Sequence, residues 1–277
     1  VDVAGLLGEP AREGGFALAI SGGDPLSAML GEPAGVPAAG VPATSAPSVT
    51  SGEPWLMSGR LGRDRLVAAA QTAGFALDLE LRATRDEPVL HGGEGWIDFG
   101  PAGGSYYYSW PRMEAGGTLT YAGEALTVEG TAWFDHQWGD FISVGGGGWD
   151  WFAVNLDDGT DLTLSLVRAA DGTYPLAHGT LVGPGGRVTH LRRDDFSIEP
   201  TDAWTSDSTG ITYPAGWRIE LPDQELVLDL TPTVADQELD TRPTTGVIYW
   251  EGSQEVSASR ASRELNGEAY VELTGYA

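Results

Sequence analysis

The chain has 277 residues, 41% of them hydrophobic, and a formal charge of -25 from 40 acidic against 15 basic residues, every base being an arginine. Such a field repels phosphate backbones and anionic lipid surfaces, which argues against nucleic acid as a partner, and no run of about 18 apolar residues offers a transmembrane segment. The absence of cysteine excludes disulfides, thiolate metal sites and thiol nucleophiles.

Length alone leaves one large core or two ordinary ones open, and two are expected. Val1-Asp2-Val3 carries neither an initiator methionine nor the basic and apolar regions of a signal peptide, which reads as a processed or partial chain of a soluble protein. The compartment is open, the cell envelope or export being one reading. Residues 22 to 54 are rich in Gly, Pro, Ala and Ser and read as loop. From Trp55 the period changes to that of strands. Phe75, Leu77, Leu79 and Leu81 alternate with Ala76, Asp78, Glu80 and Arg82, the pattern of a strand with one wet face.

G-W-I-D-F, S-Y-Y-Y-S-W, G-T-L-T-Y and A-L-T-V-E-G-T-A-W-F follow, then W-D-W-F-A-V-N-L, D-L-T-L-S-L-V-R, H-G-T-L-V, R-V-T-H-L, W-R-I-E-L, L-V-L-D-L-T-P, G-V-I-Y-W-E-G and A-Y-V-E-L-T-G-Y. Asp157-Asp158-Gly159, Asp171-Gly172 and Gly185-Gly186 are hairpin turns by composition, because Gly and Asp tolerate the positive backbone angles such turns need. No long stretch has a helical period. Many short antiparallel strands predict an all-β protein of sandwiches or barrels, and a small closed barrel can hold one ligand.

The stretch from Tyr106 to Asp150 packs aromatics, acids and a histidine between glycine turns, the composition of an apolar ligand site. On a strand from Gly130 to Gly139, Trp133, Asp135 and Gln137 share one face and Phe134, His136 and Trp138 the other. His136 with Trp138 is the preferred lining pair, His136 serving as acid, base or water positioner. Asp135 then supports it from behind or pairs with an arginine such as Arg112; a structural Asp135–His136 pair between two barrels is the alternative. Trp149 and Trp151 share a face opposite Asp150: with the tryptophans in the pocket Asp150 is structural, and with Asp150 inward it is a proton donor. Tyr106 and Tyr108 also share a face. Glu251 and Glu272 read as exposed strand acids or hydrogen-bond anchors.

S-Y-Y-Y-S-W-P-R-M, G-T-A-W-F-D-H-Q-W-G, G-W-D-W-F-A-V-N-L-D-D-G, Y-P-A-G-W, D-Q-E-L, Y-W-E-G and A-Y-V-E-L-T-G-Y, in order from about Leu90 to the C-terminus, resemble the carotenoid 1,2-hydratase (hydroxyneurosporene synthase) family and its AttH-like, lipocalin-type relatives. The resemblance implies two consecutive lipocalin-like barrels with a boundary near Gly116 and Gly117, giving an N-terminal domain over 1–116 and a C-terminal one over 117–277. It implies functional residues at His136 and Trp138, within the D-H-x-W-G motif. The family's tryptophan-rich opening of the type E-W-W-Y has no counterpart here, so the first barrel is incomplete or divergent. Where carotenoid hydratases carry a Tyr and an Asp two residues apart on the strand after the D-D-G turn, this chain has Thr163 and Ser165, or Asp161 where a local gap shifts the register. That departure favours an AttH-like protein with another substrate.

Hydrating an alkene needs a proton donor, stabilisation of a cation and a water to capture it. A carboxylic acid in an apolar pocket stays protonated near neutrality, and aromatic faces stabilise cations. Asp135, His136, Trp138 and Asp150 are therefore the candidate catalytic residues, and Tyr106, Tyr108, Arg112, Trp133, Trp149 and Trp151 the candidate substrate-binding residues. No nucleophile elbow, phosphate loop, helix-loop-helix calcium loop or H-E-x-x-H motif is present, so no metal and no organic cofactor is expected. Three functions remain: a cofactor-independent hydratase acting on an isoprenoid, carotenoid or polyketide-like ligand, which is favoured; a lipid or pigment carrier; and a cyclase of natural-product type. Oligomeric state is not indicated.

Overall fold

A computed structural model describes residues 56–70, 75–100, 103–121, 124–140, 146–242 and 246–276. The loop expected over 22–54 lies outside them. Strands β1 (Leu56–Gly59), β2 (Arg63–Ala70), β3 (Phe75–Ala83), β4 (Val89–Leu90), β5 (Trp96–Asp98), β6 (Gly104–Tyr121) and β7 (Glu124–Asp140) form one seven-stranded antiparallel sheet.

The pivot of this sheet is β6. Its second half pairs with β3 and its first half with β4 and β5, while β7 runs along its other side. Pro111 explains how so long a strand stays paired. Lacking an N–H, proline is tolerated in a sheet at a bulge, and the β6–β7 register shifts between Trp110 and Met113. S-Y-Y-Y-S-W and G-T-L-T-Y are thus two ends of one strand. The boundary expected near Gly116 and Gly117 falls inside it, and the chain passes to the second sheet after Asp140.

The second sheet contains β8 (Gly146–Leu156), β9 (Asp161–Ala169), β10 (Leu176–Val182), β11 (Val188–Arg192) and β12 (Ser197–Pro200). A small hairpin, β13 (Ala203–Thr205) with β14 (Thr212–Pro214), interrupts it before β15 (Trp217–Leu221), β16 (Leu226–Pro232), β17 (Glu238–Asp240), β18 (Ile248–Arg260) and β19 (Arg263–Thr274). The strand order is β11-β10-β9-β8-β19-β18-β16-β15-β12, with β17 on β18.

Its two ends, β11 and β12, are neighbours in sequence, joined through a 3-10 turn at Arg193–Asp195. A link of about five residues reaches roughly 17 Å, whereas nine strands laid flat would be about 38 Å wide, so the sheet has to curl until its edges approach. All three hairpin turns read from the sequence are in place, with Gly159, Gly172 and Gly186 at positive φ.

Alternation along each strand fills the interior. Phe152, Val154 and Leu156 of β8 join Leu162, Leu164 and Leu166 of β9, Trp217 and Ile219 of β15, Leu228 of β16, Trp250 of β18 and Val271 of β19 in one core. Trp217 and Trp250 are about 1% exposed or less and sit 5.6 Å and 5.8 Å from their ring neighbours in a Phe152–Trp217–Trp250 row. This barrel is packed with side chains, where the sequence suggested room for a ligand. The β13–β14 hairpin is held by Glu238, which accepts hydrogen bonds from Ser206, Ser208, Thr209 and Tyr213. The first sheet has its own core of Leu66, Leu77, Leu79, Leu81, Trp110, Met113 and Ala132. A third cluster of Trp133, Trp151, Ala153 and Tyr270 joins the sheets at a seam.

Candidate functional site

The β6–β7 hairpin presents two unlike faces. Its register sets Tyr106 opposite Trp138, Tyr108 opposite His136 and Trp110 opposite Phe134, while Tyr107 faces Gln137 and Ser109 faces Asp135. Successive side chains point to opposite sides. The first set lies on the side of the first sheet's own core, which Tyr108 and Phe134 join as partly buried members. The second set lies on the seam side.

On the core side the rings form a continuous wall. Trp96 meets Tyr106 at 4.8 Å, Tyr106 meets Trp138 at 5.3 Å, Trp138 meets His136 at 4.7 Å, and His136 meets Tyr108 at 5.4 Å. Trp96, Tyr106 and Trp138 are each more than two-fifths exposed. Contiguous exposed aromatic rings are the kind of surface that interaction sites use. The Tyr108 hydroxyl lies 3.4 Å from Nδ1 of His136. Although His136 is exposed by area, the rings packed around it desolvate the imidazole enough to push it below its ordinary value, so it is neutral at neutral pH, and burial with the charge of Asp64 pushes the Tyr108 phenol up.

On the seam side Asp135 is buried and accepts from the Tyr107 hydroxyl at 2.7 Å, from the Trp133 indole at 2.7 Å and from the Ser109 hydroxyl. The Tyr107 hydroxyl in turn accepts from the indole of Trp151 in the second sheet at 3.0 Å. His91, fully buried, stacks on Tyr107 and places Nε2 2.7 Å from the Ser109 hydroxyl and Nδ1 2.9 Å from that of Thr180. Since Ser109 gives its proton to Asp135, its oxygen accepts from Nε2–H of His91, and Nδ1 accepts from Thr180. Burial, and then the charges of His178 and His190, hold His91 well below the ordinary value and therefore neutral.

Burial raises the Asp135 carboxyl to about 6, against opposing pulls from Ser109, Tyr107 and Trp133. A carboxyl raised from 3.8 to about 6 keeps its proton longer when folded than when unfolded. The folded chain then binds more protons between these values, and stability falls as pH rises through that window, by roughly 3 kcal/mol in all. His178, pushed down to about 4 by burial, works in the opposite direction over much of the same range. The informative comparison is therefore with Asp135→Asn. Unfolding titrations should show the stability of the native protein dropping relative to this variant by about 3 kcal/mol between about pH 4 and pH 7; a constant difference would overturn the assignment.

The sequence candidates thus fall into four places. Tyr106, Tyr108, His136 and Trp138 share the aromatic wall. Trp133, Asp135 and Trp151 meet in the seam, beside a small cleft lined among others by Trp133, Ala153, Asn155 and Tyr270. Trp149 packs against this cluster and donates its indole proton to Glu272, which is buried rather than an exposed strand acid. Asp150 points into the filled barrel and accepts from the hydroxyls of Tyr174 and Tyr276 at 2.6 Å and 3.0 Å. Arg112 pairs with Asp161 at 2.8 Å, not with Asp135, and Asp135 and His136 point apart rather than pairing.

Reasoning from the sequence passed over Asp64, Trp96, His91 and Ser109. Asp64 shares the inward parity of Leu66 and Ala68 on β2, a signal open to the sequence. His91 lies in the turn between β4 and β5, where no periodicity aims a side chain. Among the described residues no group of three or more His, Asp or Glu is arranged to hold a metal ion, and no helix is long and apolar enough to cross a membrane.

Residues 34–276 match the family model described as AttH-like. The structure is similar to the crystal structure of an AttH protein from Nitrosomonas europaea, with TM-score 0.72 and 32% identity, covering 80% of this chain and 68% of that one. It also resembles kievitone hydratase from Nectria haematococca, with TM-score 0.64 and 22% identity over 78% of this chain and 65% of that one, a likeness of fold alone. The sequence is 26% identical over 170 residues to the dehydratase asqC of Emericella nidulans, covering 58% of this chain and 47% of the relative, so the match spans about half of that protein's length. With nearly its whole length inside the family model and a lipocalin-like curl shared with the Nitrosomonas protein, the chain belongs to the AttH-like family.

Proposed function

We propose that this protein is a lyase of the hydratase and dehydratase type, which lays a hydrophobic substrate on the aromatic wall and moves protons through His136 and Tyr108. The observation that carries the reading is a neutral imidazole set in the middle of exposed rings with a phenol 3.4 Å away. A neutral imidazole accepts a proton, and the phenol, although its raised pKa makes it a weaker acid, is fully protonated at neutral pH and has a proton to give, so the pair offers a base and an acid for an addition or elimination of water. In hydration the Tyr108 phenol gives its proton to one carbon while water attacks the other and loses a proton to the His136 imidazole, and the imidazolium then returns that proton to the phenolate 3.4 Å away; dehydration runs the same transfers backward, beginning with the proton passing from phenol to imidazole. The ring faces stabilise positive charge developing on carbon.

The likeness to a dehydratase supports the reaction class. Tyr106 and Trp138 then hold the substrate, with Tyr108 and His136 at its reacting bond. Asp135, Trp133, Trp149, Trp151 and Arg112 fix the seam that keeps the hairpin in place, and Asp150 anchors the end of the second barrel. The substrate class is an isoprenoid, carotenoid or polyketide-like molecule with an alkene or a tertiary alcohol.

The test is incubation with a panel of acyclic terpenoids, carotenes and polyene polyketides in deuterated water, with products read by mass spectrometry. The expected product differs from its substrate by one water, and hydration leaves deuterium on carbon. An isomer of unchanged mass would instead mark a cyclase, and a ligand retained without change a carrier; either result overturns the proposal.

A further inference from the structure

The wall carries a charge that the proposed chemistry has not used. Asp64 lies on β2 at the same parity as Leu66 and Ala68, facing the first sheet's core side, and is about half buried. The turn that precedes it packs on the wall's inner end, since a side chain at Gly62 would meet the Trp110 indole at 3.3 Å. Its cross-strand partner Leu81, and Leu81's own partner Ala115 on β6, both belong to the core cluster that Tyr108 joins, which sets the Asp64 carboxyl on the wall's face of the sheet at the Tyr108 end, where its charge helps to raise the phenol. Among the described residues its carboxylate forms no ion pair: the neighbouring Arg65 is turned to the other face and bonded to Asp78 at 2.6 Å. A carboxylate partly removed from water beside apolar surface, without a cation, is costly to keep.

Resting on the proposed function, we infer that the aromatic wall selects flat ligands that carry positive charge toward Asp64 and rejects anionic ones. Ring faces attract cations through their quadrupoles, and a carboxylate at one end of the row adds a directional attraction. An anionic ligand meets the reverse, a negative ring face and a carboxylate, and among the described residues the cation–π contact of an arginine falls elsewhere, on Tyr276. In the proposed reaction the same arrangement favours the carbocation that forms on protonation of an alkene. Free carboxylic acids and phosphorylated or thioester-linked carriers are disfavoured as substrates.

The experiment uses three ring probes of one size, N-methylquinolinium, quinoline and naphthoate, titrated at neutral pH while the indole N–H resonances of Trp96 and Trp138 are followed by NMR. N-methylquinolinium should bind about tenfold more tightly than naphthoate, with quinoline between. Asp64→Asn should bring the cation and the anion within about threefold of each other. Glu129→Gln, which removes the same charge from an exposed position, should leave the tenfold preference, separating Asp64 from the general negative field. Equal binding of all three probes, or a preference untouched by Asp64→Asn, overturns the charge inference and leaves the wall as a ligand face. Failure of every probe to move Trp96 and Trp138 overturns the wall as a ligand face and the inference with it.

Discussion

His136→Ala is expected to slow water addition or elimination by about a hundredfold to ten-thousandfold, the usual worth of a positioned acid or base. The loss should fall on kcat, because Tyr106, Trp96 and Trp138 still offer their rings to the substrate. His136 is exposed, so its removal should leave the unfolding midpoint within about 0.5 kcal/mol of the native protein. Trp138→Ala should show the complementary pattern, a rise in KM larger than the fall in kcat. The pH dependence carries a further signature. With the imidazole held below 6.5, hydration should stay level as pH falls through neutrality and decline only below that value, when the base takes up a proton. Steady-state kinetics on the substrate found by the deuterium screen decide the matter. A His136→Ala enzyme of near-native kcat would remove the histidine from the mechanism.

Arg112→Met should lower stability by about 3 kcal/mol, a large effect for a side chain that is still 29% exposed. Its guanidinium leaves the first sheet at the Pro111 bulge and reaches the turn between β8 and β9, donating to the Asp161 carboxylate at 3.1 Å and 2.8 Å and to the Leu156 carbonyl at 3.0 Å. Asn155 closes the arrangement by donating to the Pro111 carbonyl and to Asp161. Burial already pushes the Asp161 carboxyl up, with Arg112 pulling it back, so removal of the arginine leaves a buried negative charge served by the Asn155 hydrogen bond and the weaker pull of the Arg85 charge. The cost is that of the stranded partner more than of the lost attraction. Arg112→Met combined with Asp161→Asn should therefore recover part of the loss. Urea titrations of the single and double variants give both numbers, and a single-variant loss below about 1 kcal/mol would show that water reaches Asp161 easily.

Much of this fold was legible from two regularities. Alternation such as Phe75 to Leu81, and Asp-Gly or Gly-Gly pairs at the hairpins, place strands and turns because pleating and positive φ are local requirements. The long strand β6 was not legible. Pro111 and the Gly116-Gly117 pair look like ends, and only pairing with β7 along the whole length carries the strand through them. The division of Trp133, Asp135 and Gln137 from Phe134, His136 and Trp138 was equally plain in the sequence, but period two says which residues share a face and never what that face meets. Asp161 as the partner of Arg112, and His91 between Ser109 and Thr180, depend on chain segments 49 and 89 residues apart. No local pattern encodes such distances.

The β6–β7 hairpin assigns even and odd positions to separate tasks, and this has a consequence for how the molecule can change. Tyr106, His136 and Trp138 can be exchanged for other side chains without disturbing Tyr107, Ser109, Trp133 or Asp135, since the two sets share a backbone but no packing volume, whereas Tyr108 is also held by the first core. A new repertoire of small molecules is then accessible by single substitutions on one side of a ribbon whose other side stays welded to a solid barrel. An inserted or deleted residue that is not absorbed in a bulge, as the shift between Trp110 and Met113 is, has the opposite effect. It turns every downstream side chain over, putting the carboxylate among the rings and the imidazole into the weld, so the hairpin tolerates drift in chemistry but not in length.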